Sequence, residues 1–480
     1  MKDTSSKKNT SKAPPQGVLA RSSKLFGLAA GLAARELSGR LERAVSRGEE
    51  LQRKVSQVKT QLEQAKKVVE SLGRLKGAAM KAGQMLSIEL RDYLPPEAVE
   101  ILSQLQGGGQ SVDFDEIRSI LLHELGAEKF AQLRELSEEP IASASIGQVH
   151  SATIDDESGK SVKIVLKVQF RGIAESIDSD LAMLEKIARS LVAFSLKNVD
   201  LDGVMSELSE VLKQETDYLR EAESLKRYGA LAAGVSGLVV PRVYEKFSTK
   251  RVLALTFESG LSPDAWLKTE PSSEDRHHFG ALILDLYFRE FFDWGFVQTD
   301  PNFANFLFRP ETGELVCLDF GATKEYSTEF RKLYSDLVIQ AKAGRFEETL
   351  ALGVQLGLIN AREKEESRAE FYKLLEFIIR MFDETKQPFD FKDRGYVDSI
   401  RDQLFRFIRT LKHSPPPKQI LFLHRKLGGI YHLLKALGVS ADVTPYWKKM
   451  EATAARNAGT ASGSAGSTAR SAETVKGAKS

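Results

Sequence analysis

Gln298-Thr-Asp-Pro-Asn-Phe-Ala-Asn-Phe306, followed by Leu315-Val-Cys-Leu-Asp-Phe-Gly321, is the stretch whose reading decides the fold. Asp300 precedes Asn305 by five positions. In a kinase catalytic loop the same spacing separates the acid that takes the substrate proton from the amide that holds a metal. A proline-containing turn with Asx capping has the same look, and taken alone the segment reads that way. It is not alone. Fourteen residues beyond Asn305 an apolar β-type run ends in Asp319-Phe-Gly321, the triplet whose acid binds a nucleotide's magnesium.

A site of this kind also needs a strand lysine for the α/β-phosphates and a helical acid to hold it. Val165-Leu-Lys-Val168 places Lys167 within an alternating strand, whereas Lys163 reads as a solvent-side lysine. Downstream, Glu215, Asp217 and Glu221 fall on a predicted helix, with Asp217 and Glu221 four apart on one face. Exposed helical acids are common, so these three gain weight only from the company they keep. No G-x-G-x-x-G precedes Lys167. In its place stands Ile141-Ala-Ser-Ala-Ser-Ile-Gly-Gln-Val-His150, small residues that still let backbone N–H groups approach phosphates.

Around this centre the chain divides by texture. Ala152 to Ile154 and Val162 to Phe170 read as a β-hairpin; Val239 to Tyr244 and Val252 to Phe257 add two strands, with helix from about Ile173 to Gly229 between the pairs. Beyond Ser262 the pattern is helical to Leu437, broken around Asp300 to Gly321. The fold class is therefore α+β: a bilobal protein-kinase-like fold, with a small β-rich N-lobe, a larger helical C-lobe and a helical N-terminal extension. The expected divisions are a basic, mostly disordered arm over 1–35, the helical extension over 36–135, the N-lobe over 136–260, the C-lobe over 261–445 and a disordered tail over 446–480. In the extension, Leu51, Val55, Val58, Leu62, Ala65, Val69 and Leu72 form a heptad seam. Asp113 is placed to cap a helix from Phe114 to Leu125, which Gly126 should stop.

Composition narrows the function. At 480 residues, 42% apolar and 28% charged, the chain is an ordinary globular protein with room for a large core. Its 68 Lys+Arg against 66 Asp+Glu are too balanced for affinity built on neutralising many phosphates, so nucleic-acid binding is not expected. A single cysteine, Cys317, forms neither an internal disulfide nor a zinc cluster. No run approaches the roughly 18 to 20 apolar residues of a spanning helix. Leu25 to Ala34 is about half that. After a lysine-rich start it suits three readings: a secretory signal, a transit peptide, or a basic arm leading into a short Gly/Ala-rich helix. Ile420 to Leu437 is apolar enough to be either lobe core or a membrane-contacting helix.

In this setting Met80-Lys-Ala-Gly-Gln-Met85, otherwise a plain amphipathic helix, becomes informative. With Lys81-x-Gly83-Gln84, Ser145 to His150, Val-Leu-Lys167, Glu215-x-Asp217 with Glu221, and Asp-Phe-Gly in order, the chain resembles the UbiB/ADCK family of atypical protein-kinase-like proteins over roughly residues 70 to 445. Gln298 to Phe306 is similar to the branch that contains the mitochondrial coenzyme Q kinase-like proteins. The resemblance implies ATP and Mg2+ as cofactors. It also implies roles: Lys167 on the phosphates with Glu221 as its partner; Asp319 and Asn305 on magnesium; Asp300 as catalytic acid. Ala142, Ser143, Ala144 and Ser145 would form the loop over the nucleotide, Thr256, Phe257 and Glu258 the hinge that meets adenine. Lys81, Gly83 and Gln84 would form a regulatory cover faced by Glu215 and Asp217, which disfavours protein substrates.

The activity so implied is an ATPase, or a kinase for a small or lipid-like molecule, supporting ubiquinone biosynthesis. Its partners would be lipid or quinone precursors and biosynthetic enzymes, with at most peripheral membrane contact, a homodimer being open. The compartment would be the cytoplasm, or the mitochondrial matrix in a eukaryote. Two other readings stand beside it: a nucleotide-binding pseudokinase scaffold, and a conventional Ser/Thr kinase, against which the missing glycine-rich loop and the Lys81-to-Gln84 helix argue.

Overall fold

The computed structural model describes residues 82–83, 85–86, 112–143, 146–192, 201–300, 302–412, 418–452 and 454–455. The arm and heptad seam read from the sequence, together with Lys81, Gln84, Ala144 and Ser145, lie outside them. Of the Lys-x-Gly-Gln segment, Ala82, Gly83, Met85 and Leu86 are helical and buried.

From residue 112 on, the described chain runs through α1 (Phe114–Phe130) into a four-stranded sheet of order β1-β2-β3-β5: β1 (Ala142–Ser143), β2 (Gly147–Asp155), β3 (Ser161–Gln169) and β5 (Val252–Thr256). Between β3 and β5 come α2 (Ile173–Val192), α3 (Leu201–Glu215), α4 (Tyr218–Ala232) and β4 (Leu238–Val239). Strand β3 forms because Ile164, Leu166 and Val168 alternate into the core, each fully buried. Asp113 precedes α1 in extended conformation but makes no side-chain cap, and Gly126, at φ 75°, kinks rather than ends the helix, which resumes to Phe130. The acids of Glu215-x-Asp217 do not share one helix with Glu221. Thr216 turns its hydroxyl back to the Lys213 carbonyl, the helical pattern breaks, and Asp217 stands between α3 and α4.

After β5 the chain runs through α5 (Pro263–Leu267), α6 (Ser273–Phe288), a π-helical turn (Arg289–Trp294) and β6 (Phe296–Gln298). Ser262 and Ser272 cap α5 and α6 by accepting from Ala265 N and Asp275 N. Next come β7 (Phe306–Arg309), β8 (Glu314–Cys317) and β9 (Thr323–Glu325), in two small sheets of order β4-β8-β7 and β6-β9. Helices α7 (Thr328–Lys342), α8 (Phe346–Gln355), α9 (Glu365–Ile379), α10 (Arg394–Thr410) and α11 (Lys418–Leu437) complete the fold with the short pair β10 (Phe389–Asp390) and β11 (Ser440–Ala441). Helix α11 is core: Leu423, Ile430, Leu433, Leu434 and Leu437 are all buried. Residues 444–452 are helical and bury Trp447 and Met450, so ordered core continues past the expected boundary at 445. Among the described residues no helix is long and apolar enough to cross a membrane.

The chain falls into two compact units. One comprises residues up to Ser161, Val165–Asp217 and Thr249–Val252; the other comprises Val162–Ile164, Tyr218–Ser248 and the chain from Leu253 on. In the first, β2 carries the buried His150, whose Nδ1 lies 2.8 Å from the Ser137 carbonyl. Burial holds this imidazole below its usual range, against the Ser137 carbonyl, which favours the protonated form. In the second, Trp266, Phe279 and Phe308 form an aromatic core, with Phe279 and Phe308 stacked at 4.4 Å. Helices α7, α9 and α10 pack around Leu337, Phe371, Leu374 and Phe407.

The depressed imidazole has a consequence for pH. The unfolded chain binds a proton at His150 near pH ~6.5 while the folded chain resists it, so this contribution is complete above that pH and lost as the pH falls below it. Thermal unfolding between pH 7 and 5 should show stability declining on acidification, with a shallower slope in His150→Asn.

Candidate active site

The second unit gathers the acid, the amide and the Asp-Phe-Gly triplet by strand register. Strands β7 and β8 pair antiparallel with Phe306 opposite Cys317. The ladder runs one step further, Leu318 N donating to the Asn305 carbonyl at 2.9 Å, so Asn305 and Asp319 flank the same end of the hairpin. Asn302 shapes the approach, its Oδ1 accepting from Ala304 N at 3.0 Å to cap a short 3₁₀ turn. Asn305, 9% exposed, donates from Nδ2 to the Asp300 carboxylate at 3.1 Å and to its carbonyl at 3.3 Å. The amide nitrogen is thus spent on Asp300, and Oδ1, the atom able to ligate a hard cation, is turned away from it.

The other side of the loop is held by β6 and β9, which pair with Gln298 opposite Thr323. Thr299 donates from both N and Oγ1 to the Ala322 carbonyl, at 2.8 and 3.1 Å. Asp300 therefore sits between two short ladders. Asp319 Oδ1 accepts from Gly321 N at 2.9 Å, an Asx turn that orients the carboxylate.

Helix α4 lies against this triplet. Its buried residues Tyr218, Glu221, Ser224, Leu225 and Tyr228 recur at helical spacing on one face. Tyr228 packs on Phe320 with ring centroids 4.3 Å apart, Ser224 Oγ lies 3.1 Å from Thr323 Oγ1, and Arg227 pairs with Glu325. Glu221, 2% exposed, brings Oε2 within 3.6 Å of where a Cβ on Gly321 would be.

The segment expected as hinge is stiffened by its own side chains. Thr256 Oγ1 donates to Glu258 Oε1 at 2.6 Å and accepts from Arg242 N at 3.0 Å, while Arg309 pairs with Glu258 and donates to the Ser259 carbonyl. Thr256 N donates to the Arg242 carbonyl and Phe257 N to the Lys163 carbonyl. Two of the segment's three N–H groups are thus committed to the protein's own backbone. Lys163 Nζ stands 4.1 Å over the Phe257 ring.

In the first unit, β1 pairs antiparallel with β2, Ala142 opposite Val149 and Ser143 opposite Gln148. Ala142 and Ser143 are exposed, so the small residues form an open edge hairpin beside β2. Lys167 lies half-buried on β3, on the face opposite Ile164, Leu166 and Val168. Gln148 and His150 of the adjoining motif point inward, His150 Nε2 lying 3.3 Å from Gln148 Oε1, and support the strand.

Sequence reasoning does not single out Glu290 and Lys426, which form a fully buried ion pair at 3.1 Å. Their signal is a charge set in an apolar run: Phe288-Arg-Glu-Phe-Phe292 and the inward face of α11. Phe320→Ala should lower unfolding stability by about 3–5 kcal/mol in denaturant titration, because it empties a fully buried aromatic site under Tyr228.

Comparison with known proteins places the chain among its relatives. The family model described as the ABC1 atypical kinase-like domain matches residues 104–349. The mitochondrial atypical kinase COQ8 of Schizosaccharomyces pombe is 32% identical over 375 residues, covering 77% of this chain and 60% of its own length. That of Saccharomyces cerevisiae is 31% identical over 390 residues, covering 80% and 75%. Mitochondrial coq-8 of Caenorhabditis elegans is 32% identical over 383 residues, covering 78% of this chain but only 49% of itself. The solved structure of Rv3197 of Mycobacterium tuberculosis, in complex with erythromycin, superposes with a TM-score of 0.56 at 22% identity, covering 84% of this chain and 98% of that one, and shares the fold. On the matched domain and these relatives together, the chain belongs to the ABC1 atypical kinase-like family.

Proposed function

We propose that the chain is a magnesium-dependent atypical kinase or ATPase that turns over ATP in support of coenzyme Q biosynthesis, acting on or beside lipid-like quinone precursors and their enzymes. The observation that carries this is the ladder-held set of Asp300, Asn305 and Asp319, with Glu221 packed beside Gly321. The quinone pathway rests on the resemblance of Gln298 to Phe306 and on the COQ8 relatives.

The donor set suits magnesium. Asp319 offers a carboxylate and Asn305 an amide oxygen, and Mg2+ is usually held by one or two carboxylates together with substrate phosphates. Among the described residues there is no cluster of three or more His, Cys, Asp or Glu side chains arranged for a metal. Bound there, magnesium would neutralise charge developing on the β- and γ-phosphates. Asp300 accepts the proton of the attacking hydroxyl or water, and the Asn305 amide holds its carboxylate in place. Lys167 would meet the α/β-phosphates, and the open edge at Ala142 and Ser143 would lend backbone N–H groups. The lack of a G-x-G-x-x-G loop ahead of Lys167 supports a small-molecule or water acceptor over a protein side chain.

Thermal unfolding with and without MgATP tests the site. Nucleotide at about 100 times its dissociation constant should add roughly 2.7 kcal/mol, a shift of several degrees, and Asp319→Asn should abolish it. Asp300→Asn should keep the shift while ADP release, followed with and without lipid vesicles, falls about 10²- to 10⁴-fold. A wild-type shift without ADP release would make the protein a nucleotide-binding scaffold. No shift at all would overturn the nucleotide reading.

A further inference from the structure

Behind the loop that carries Asp300 lies a buried polar network to which the reaction chemistry assigns no part. Glu290, in the π-helical turn after α6, and Lys426, on α11, are 0% and 1% exposed and 3.1 Å apart. Tyr228 donates its hydroxyl to Glu290 Oε1 at 2.7 Å, and Gln298 N donates to the same oxygen at 3.3 Å. Lys426 Nζ donates to Gln298 Oε1 at 3.1 Å and lies 5.9 Å from the Phe306 ring centroid. Because an ammonium only donates, it fixes the Gln298 amide oxygen-first, and Gln298 Nε2 is left without a hydrogen-bond partner among the described residues.

Such a network is a poor way to gain stability. Replacing a buried ion pair by apolar residues of similar volume is often neutral or stabilising, whereas removing one partner strands a charge. The unpaired Gln298 Nε2 adds a further cost. What the arrangement does supply is a common anchor. Gln298 stands two residues before Asp300, and Phe306 follows Asn305 directly. Tyr228 lies two helical turns after Glu221 on α4 and packs at a tilt against Phe320. The π-helical turn that aims Glu290 closes at Gly295, φ 63°, where a Cβ would come within 2.7 Å of the Tyr326 carbonyl, and Arg331 donates to the Phe292 carbonyl at 2.8 Å. The turn is built to hold one geometry.

We propose that Glu290 and Lys426 are positioning residues, a buried ion pair that sets the catalytic loop through Gln298 and helix α4 through Tyr228, so that Asp300 and Glu221 keep fixed places around Asp319. This rests on the reading of Asp300 as the catalytic acid.

The test separates positioning from folding. Wild type, Glu290→Gln, Lys426→Met, the double variant Glu290→Leu/Lys426→Met and Gln298→Leu are compared for unfolding temperature, MgATP-induced shift, kcat and KM for ATP, and amide hydrogen exchange across residues 298–305. Each single charge variant should lose stability and turnover together. The double variant should regain the wild-type unfolding temperature to within a few degrees. Its kcat should stay at least about tenfold low, its KM within about threefold of wild type, and its exchange over 298–305 fast. Gln298→Leu, which leaves the ion pair intact, should show the same kcat loss and decides the matter if the double variant does not fold. Recovery of kcat in step with stability in the double variant, or wild-type kcat in Gln298→Leu, would overturn the proposal. Should the wild type bind MgATP without turnover, the reading of Asp300 fails separately. Exchange over 298–305 then decides the positioning role alone: faster exchange in the double variant upholds it, and unchanged exchange overturns it.

Discussion

The hydrogen bond from Leu318 N–H to the Asn305 carbonyl extends the β7–β8 ladder by one step, and the placing of the candidate active site depends on it. Side chains on a strand have a strict period of two, so a slip of one residue would turn Asn305 and Asp319 to the wrong faces. The register is protected by Phe308 and Leu315, which face each other in the core and are fully buried. Thr299 closes the other side by binding Ala322 twice, so the loop carrying Asp300 is anchored before and after its acid. The acid itself accepts a hydrogen bond from the local amide of Asn305.

That economy explains which parts were legible in the sequence. Asp300, Asn305 and Asp319 could be read because their geometry is set by short spacings and by turn chemistry at Asn302 and Gly321. The strands were legible where alternation was clean, as in Ile164, Leu166 and Val168. Glu221 was singled out through what a strand lysine requires, but the break between α3 and α4 was not legible, because Thr216 bonding back to Lys213 competes with a helical pattern that otherwise continues. The commitment of Phe257 N–H to Lys163 could not be read either, since it depends on the register between β3 and β5. Most hidden was the network around Glu290. Tyr228 and Gln298 meet partners 62 and 128 positions away, and no local pattern announces contacts of that range.

The same comparison shows where the fold carries charge in its interior. Glu221, Glu290 and Lys426 are all almost fully buried, and each lies within one layer of Phe320 or the Asp300 loop. Burial pushes the Glu290 carboxyl upward, while Lys426, the Tyr228 hydroxyl and Gln298 N pull it back toward the ionised form. Elsewhere the ion pairs are largely at the surface, as in Arg134 with Asp155, where screening leaves them little weight in stability. Two further buried acids stand apart from this region: Asp180, which accepts from Ser176, and Glu363, which accepts from Lys412 N.

The central claim is that Asp300, Asn305 and Asp319 make one site for a nucleotide and its metal. Calorimetric titration of the protein with ATP, with Mg2+ present and then with the divalent metal chelated, tests it most directly. Affinity should fall at least about tenfold on chelation, roughly 1.4 kcal/mol, because the phosphates lose the cation that Asp319 and Asn305 would hold. Equal affinity under both conditions would contradict the account.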